Sequence, residues 1–284
     1  MFRAIGNFIK WIGDHFKGML FLLIVVVVFM PSSSTELGTA NLQEIKLSGP
    51  IMSAEKIVKE IEKAQKDKNI KGVLLNVNSP GGSVAPSIEI AYAIRELNKH
   101  KPVIAYASGI MASGSYYSSI YATKIISNPG ALVGSIGVIM ESADISKLME
   151  TIGVKTQIVK EGLYKEAGTP TREWTPQERA ELERLTKDTY DLFVSDVARA
   201  RGLDINRSKD YADAHIFSAQ RAKSVGLIDV IGVKSEAKTM LQKEANITNP
   251  IWKEKDKFDN FIDNLETKSV LKLQNYFYGL KATL

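Results

Sequence analysis

The chain has 284 residues, 44% of them hydrophobic and 24% charged, with a net charge of +5. That composition suits one large or two small globular domains, and the dispersed Lys and Arg form no stripe of the kind a nucleic-acid surface needs. With no cysteine, a disulfide frame, a thiolate nucleophile and a cysteine zinc site are all excluded.

Residues 19–30 (Met-Leu-Phe-Leu-Leu-Ile-Val-Val-Val-Val-Phe-Met) carry no charge. Such a run is short for a bilayer span and matches a signal-peptide core, with Ser32 and Ser34 after Pro31 as a candidate cleavage site. Before it, however, Phe2, Ile5, Phe8, Ile9, Ile12 and Phe16 recur at helical spacing, with Arg3, Lys10 and Lys17 alongside. We favour one uncleaved anchor over residues 1–30, its lysines kept inside and the rest of the chain outside. A cleaved leader and a buried core helix are the alternatives. Residues 31–42 lack periodicity and read as a linker.

From residue 43 onward, strand and helix patterns alternate. The spacing predicts strands over 43–47, 72–77, 103–106, 124–127 and 136–140. It predicts helices from Ser53 to about Asp67, over 88–97, just after Ser113, and over 145–152. Residues 72–77 (Gly-Val-Leu-Leu-Asn-Val) are compact and apolar, as in a central strand covered on both faces. The alternation predicts an α/β domain over residues 43–245 with a mostly parallel sheet. Thr175-Pro176-Gln177-Glu178 opens a long charged helix closed by Gly202. Its stripe of Leu182, Leu185, Tyr190, Phe193 and Val197 is expected to pack on the domain and partly on another subunit. A short helix over 218–225 follows. In the tail, residues 246–284, Phe258, Ile262, Leu265, Leu271, Tyr276 and Phe277 alternate with charge, fitting either an amphipathic helix or a solvated tail.

Metal chemistry has little support, since there is no His-Glu-x-x-His and only three scattered histidines. Pro80-Gly81-Gly82-Ser83 lacks a P-loop lysine, no dinucleotide fingerprint is present, and no metal or cofactor is expected. What remains is a serine. In Ala107-Ser108-Gly109-Ile110-Met111-Ala112-Ser113-Gly114-Ser115-Tyr116-Tyr117, Ser113 falls where a strand gives way to a helix, beside the helix's free N–H groups. The competing reading is a small-residue turn that lets a helix pack closely on a sheet.

A serine nucleophile needs a base. His15 precedes the apolar run, on the wrong side of the bilayer under the anchor reading. His100 sits between two lysines and reads as a surface residue. His215 has the one plausible core position among the three, with a structural role. A lysine can serve when burial keeps it neutral, and Lys160 and Lys165 lie in Val159-Lys160-Glu161-Gly162-Leu163-Tyr164-Lys165-Glu166. By local sequence, both read as solvated loop lysines. Acyl transfer also needs two preorganised N–H groups facing the developing oxyanion. Gly81-Gly82 and the amide of Gly114 can supply them, each following an apolar strand at one edge of the same sheet.

These motifs, in this order, resemble the signal peptide peptidase A (protease IV) family of membrane-anchored serine proteases, within the Clp protease/crotonase-like superfamily. The resemblance covers residues 43–233. It rests on Asn78-Ser79-Pro80-Gly81-Gly82, Met111-Ala112-Ser113-Gly114-Ser115-Tyr116-Tyr117, Leu132-Val133-Gly134-Ser135-Ile136-Gly137-Val138 and Lys160-Glu161-Gly162-Leu163-Tyr164-Lys165. It continues through Thr169-Pro170-Thr171-Arg172 and Ala222-Lys223-Ser224-Val225-Gly226-Leu227-Ile228-Asp229. It implies a Clp protease/crotonase-like superhelical α/β fold and a Ser/Lys dyad, with Ser113 as nucleophile and Lys165 as general base. It further implies that Ser135 orients the lysine and that the Gly82 and Gly114 amides form the oxyanion hole. The expected substrates are apolar peptides such as cleaved signal peptides, and the expected assembly is a ring-like homo-oligomer. The expected location is the cytoplasmic membrane, with the protease domain on the periplasmic or extracellular face. One departure is Ser115, where the family usually has a second glycine; it is expected to narrow the pocket or alter the turn. A crotonase-type acyl-CoA enzyme and an inactive membrane scaffold are the alternatives.

Overall fold

The computed structural model describes Trp11, residues 15–22 and residues 39–254. The chain divides into two compact units, Met1–Gly38 and Thr39–Leu284. In the first, residues 15–22 are helical. Among the described residues no helix is long and apolar enough to cross a membrane; most of the expected anchor, with residues 23–38, lies outside them. So does the tail from residue 255 onward.

The second unit opens with β1 (Leu42–Ser48), α1 (Glu55–Lys66), β2 (Gly72–Ser79), α2 (Val84–Asn98) and β3 (Val103–Ala112). Then come α3 (Gly114–Ser119), β4 (Lys124–Ser127), β5 (Leu132–Gly134) and α4 (Ser146–Thr151). The long helix α5 (Pro176–Arg201) is followed by a 3-10 turn (Ile205–Arg207), α6 (Ser208–Tyr211) and β6 (Ile216–Ser218). The unit closes with α7 (Ala219–Ser224), β7 (Val230–Ile231) and α8 (Lys234–Glu244). The sheet runs β1-β2-β3-β4-β7, all parallel, with β5 parallel to the end of β3 and β6 antiparallel to β5.

Successive strands β1 to β4 are neighbours, so their crossovers step in one direction and put α1, α2 and α3 on a single face. Alternation along each strand then divides the core. Ile45, Val73, Leu75, Val103, Ala105 and Ile125 meet Ile61, Ile90 and Ile94 on that face. Leu42, Leu74, Ile104 and Ile126 meet Ala237 and Leu241 of α8 on the other. This two-sided burial is why the central strands read as continuous apolar runs.

Two expectations are corrected. Residues 136–140 form no strand; the pairing falls earlier, on β5, and residues 137–140 run unpaired along the edge of a groove. Residues 246–253, grouped above with the tail, belong to the domain: Asn41 and Leu42 donate their amides to Ile251, and Lys253 donates back to Leu42. Residues 41–42 and 251–253 therefore lie together beside the N-terminal end of β1.

Beyond Ile136, no residue before Glu178 is buried. This arm contains α4 and exposes Ile152, Val154, Ile158, Val159, Leu163 and Tyr164. Its return to the domain is anchored at α5. There Thr175 and Glu178 form a reciprocal capping box, and Pro176 occupies the first turn. The Arg172 guanidinium bonds both oxygens of Glu178 at 2.8 and 2.9 Å and reaches Glu166 at 3.2 Å.

Candidate active site

The site begins with a change of partner in β3. Its first half pairs with β4 and its second half, from Ile110, with β5. Asn78 at the end of β2 fixes the bend by accepting the Ile110 amide on its side-chain oxygen at 3.0 Å. The strand so redirected ends at Ala112, and Ser113 follows with φ 53° and ψ −125°. A positive φ is unfavourable for a residue with a side chain and marks a tight elbow held by its surroundings. Here the Ser113 amide donates to Gly134 at 2.8 Å, and its carbonyl accepts the Tyr117 amide in the first turn of α3. Among the described residues nothing hydrogen-bonds the Ser113 hydroxyl, which borders an apolar groove of about 100 Å³. Val84, Ile88, Tyr117, Ile139, Leu192 and Phe193 line that groove.

Gly82 lies against this elbow. Ile51 pairs with the loop on its far side, donating to Gly81 and accepting from Ser83, both at 2.8 Å. The Gly82 amide is left on the elbow side, where a methyl group placed on Gly114 would sit 3.3 Å from its nitrogen. Neither the Gly82 nor the Gly114 N–H donates to another group among the described residues. Neither position leaves room for a side chain without a shift of its neighbours. A methyl on Gly82 would stand 2.3 Å from the Ile51 carbonyl oxygen, and one on Gly114 would stand 2.2 Å from the Ser87 hydroxyl. Two free amides beside an elbow serine can receive an oxyanion as it forms at an attacked carbonyl.

A buried polar layer supports the elbow from behind. Ser87 donates to Ser83 at 2.8 Å, Ser118 to Gly114 at 2.9 Å, and Ser119 to Ser115 at 2.8 Å. The Tyr117 hydroxyl donates to buried Asp196 of α5, which also pairs with Arg199 at 3.0 Å. Burial first, and then the Asp196 carboxylate, push the Tyr117 phenol far above its ordinary range. Tyr117 is thus a neutral donor that ties α3 to α5. The sequence offered no cue for this pairing, because Asp196 lies in a long, otherwise charged helix.

Of the expected site residues, the fold brings Ser113, Gly82 and Gly114 together. Ser135 lies two residues before the groove-lining Gly137, with φ 51° and its amide donating to His215 at 2.7 Å. Lys165 is elsewhere. It is exposed on the arm just after Gly162, makes no ion pair among the described residues, and is not part of the groove lining. Lys160 is engaged by Glu166. His215 is exposed rather than in the core, and what it contributes is its carbonyl, which accepts the Ser135 amide. Ser115 is fully buried and lies outside the groove lining, so it does not narrow the pocket as expected. Among the described residues no group of acidic and imidazole side chains could hold a metal ion.

An elbow serine at the carboxyl end of a parallel strand, with two free amides beside it, is an arrangement able to support acyl transfer. The sequence model of peptidase family S49 matches residues 95–248, and that of the Clp protease family matches residues 40–125. A Methanocaldococcus jannaschii protein named as an inferred protease is 41% identical over 190 residues, 67% of this chain and 61% of the relative. A Synechocystis protein also named as an inferred protease is 35% identical over 199 residues, 70% of this chain and 72% of the relative. An Enterococcus faecium protein named as an inferred signal peptide peptidase SppA is 36% identical over 191 residues, 67% of this chain and 56% of the relative. The chain thus spans less than two thirds of the length of the first and third of these relatives. It belongs to peptidase family S49.

Proposed function

We propose that the protein is a serine endopeptidase in which Ser113 attacks the peptide carbonyl and Lys165 is the general base. The observation that carries this reading is the strained Ser113 elbow facing the two free amides of Gly82 and Gly114. Neutral Lys165 takes the Ser113 proton as the oxygen–carbon bond forms and the carbonyl electron pair moves onto oxygen, between the two amides. The Lys165 ammonium then gives its proton to the leaving nitrogen as the carbon–nitrogen bond breaks. Water, deprotonated by Lys165, releases the acyl group and restores the Ser113 hydroxyl. Ser135 orients the lysine. The apolar lining favours extended apolar peptides, such as signal peptides already cleaved from their proteins.

Lys165 lies on an arm that buries nothing of its own, and its apolar side chains need a covering surface. In this reading, the arm packs on a neighbouring copy of the chain and delivers Lys165 to that copy's Ser113, within a ring-like homo-oligomer. The apolar run at 19–30, with basic residues before it, holds the assembly at the cytoplasmic membrane with the catalytic domain on its outer face. Digestion of intact cells or spheroplasts by an added protease tests that placement: the catalytic domain should be cleaved without lysis.

Mixing two inactive variants tests the shared site. Ser113→Ala and Lys165→Ala should each lose turnover of an apolar fluorogenic peptide. Co-assembled, they should recover a measurable fraction, because one neighbour pair then carries an intact serine and an intact lysine. No recovery in a verified mixed oligomer would confine both groups to one chain. Full activity in Lys165→Ala would remove Lys165 from the mechanism.

A further inference from the structure

We infer that Ser115 is a positioning residue that sets the separation of the two oxyanion amides; this rests on the serine-peptidase reading above. The two amides belong to different segments. Gly82 ends the loop Ser79-Pro80-Gly81-Gly82 that leaves β2, and Gly114 follows the elbow that leaves β3. These segments touch closely: a methyl placed on Gly81 would lie 2.6 Å from the Gly114 nitrogen and 2.8 Å from the Ala112 carbonyl oxygen. Beyond the strand pairing at Ser79 and Met111 and the Asn78 bond to Ile110, one further group bonds to both segments.

Ser115 is that group. Its hydroxyl oxygen accepts the Ala112 amide at 2.9 Å. Its proton goes to the Ser79 carbonyl at 2.7 Å, with the Ala112 carbonyl at 2.9 Å as a second acceptor. Ser79 in turn accepts the Gly81 amide on its own hydroxyl at 3.2 Å. One side chain thus joins the last residue of β2 to the last residue of β3, directly behind both amides, and it is wholly shielded from solvent. Buried hydrogen bonds of this kind hold their geometry because no water competes for the partners. With a glycine at this position only the strand pairing at Ser79 and Met111 and the Asn78 bond to Ile110 would hold the two segments in register. Ser115 touches neither the groove nor the expected position of the reacting carbonyl, so its effect passes through the amides of Gly82 and Gly114. An oxyanion hole works by geometry fixed before the charge develops, and small displacements of a donor are expensive in rate. Removing the Ser115 hydroxyl should therefore weaken stabilisation of the transition state while leaving peptide binding in the groove nearly intact.

The test compares the parent full-length protein with Ser115→Ala and Ser115→Thr, using kcat per active site titrated with a serine-reactive phosphonate. Ser115→Ala should lower kcat by about 10- to 100-fold, less than outright loss of an oxyanion donor, with KM within about twofold. Inhibition by a peptide aldehyde, whose adduct places an oxyanion on the two amides, should weaken in parallel with kcat/KM. Competition by an unreactive peptide of the same sequence should not change. Ser115→Thr, which keeps the hydroxyl, should recover part of the loss. A purely structural role would reduce the number of titratable sites without changing kcat per site. The inference is overturned if Ser115→Ala retains kcat within about threefold of the parent. Should Ser115→Ala fail to fold, Ser115→Gly is read by the same criterion. Turnover in the parent that does not depend on Ser113 would instead overturn the serine-peptidase reading, and this inference with it.

Discussion

At the scale of single residues, the site depends on atoms with almost no room to move. Gly82 is the sharpest case, since any side chain there collides with the Ile51 backbone that pins the loop. Gly82→Ala should lower kcat by about 100-fold with the protein still folded, as read by active-site titration and circular dichroism together. Tyr117 gives a stability counterpart. Tyr117→Phe leaves the buried Asp196 carboxylate without its phenol donor, which should cost about 2 kcal/mol, the usual worth of a hydrogen bond to a charged group. Urea unfolding monitored at equilibrium measures this directly. Local sequence revealed the elbow's residue types but not their supports. Gly81-Gly82 and Ser113 are recognisable because turns and helix starts favour them. The contributions of Asn78, Ser115 and Asp196 exist only after β2, β3 and α5 have been brought together. His215 misled for the opposite reason, since its apolar neighbours Ile216 and Phe217 belong to a short strand whose alternation leaves only Phe217 inside.

At the scale of elements, β2 and β3 were legible because burial on both faces imposes apolar runs, and β1 because Leu42, Ile45 and Leu47 stand among polar residues. β6 and β7 were not, since they span three and two residues and owe their form to the strands they pair with. The α5 capping box was visible in Thr175-Pro176-Gln177-Glu178, but its second duty was not. Glu178 also receives Arg172, and that contact is where the arm rejoins the domain. The Arg172 guanidinium first, then the Thr175 amide, hold the Glu178 carboxyl down at about 2 against an ordinary value of 4.5. The sign follows from linkage. A carboxylate with a depressed folded-state pKa contributes its stability in full above its unfolded value and loses it as pH falls through the folded one. Glu178→Gln should thus be less thermostable than the parent at neutral pH. The difference should shrink as pH falls below about 4.5 and disappear near pH 2. A gap that stays constant across that window would mean the ion pair is not what holds the arm root.

At the scale of the whole molecule, the domain core and the arm obey different rules. The core has two apolar layers on a seven-stranded sheet and needs nothing further. The arm presents Ile152, Ile158, Val159 and Leu163 to solvent, an arrangement that self-association would bury. Ile158→Asp together with Val159→Asp should reduce the mass seen by light scattering to that of one chain. Peptidase turnover should fall with it, while the melting temperature of the core changes little. A full-size assembly in that double variant would remove the arm from the interface. The role proposed for Lys165 has no local signature for this reason. Nothing near it in sequence marks it, and among the described residues it stands exposed on the arm.

The pairing of residues 41–42 with 251–253 at one end of the sheet has a metric consequence. Asn41 and Ile251 are hydrogen-bonded, and Lys253 reaches Asp67 at 3.7 Å, all beside the N-terminal ends of the strands. Ser113 stands at the other end of the sheet. A strand advances about 3.3 Å per residue, so the sheet is a rigid spacer of roughly 20 Å between that end and the groove. A dye carried just beyond Glu254 and a second dye on a groove-bound peptide should report at least that separation, whatever the flanking segments do.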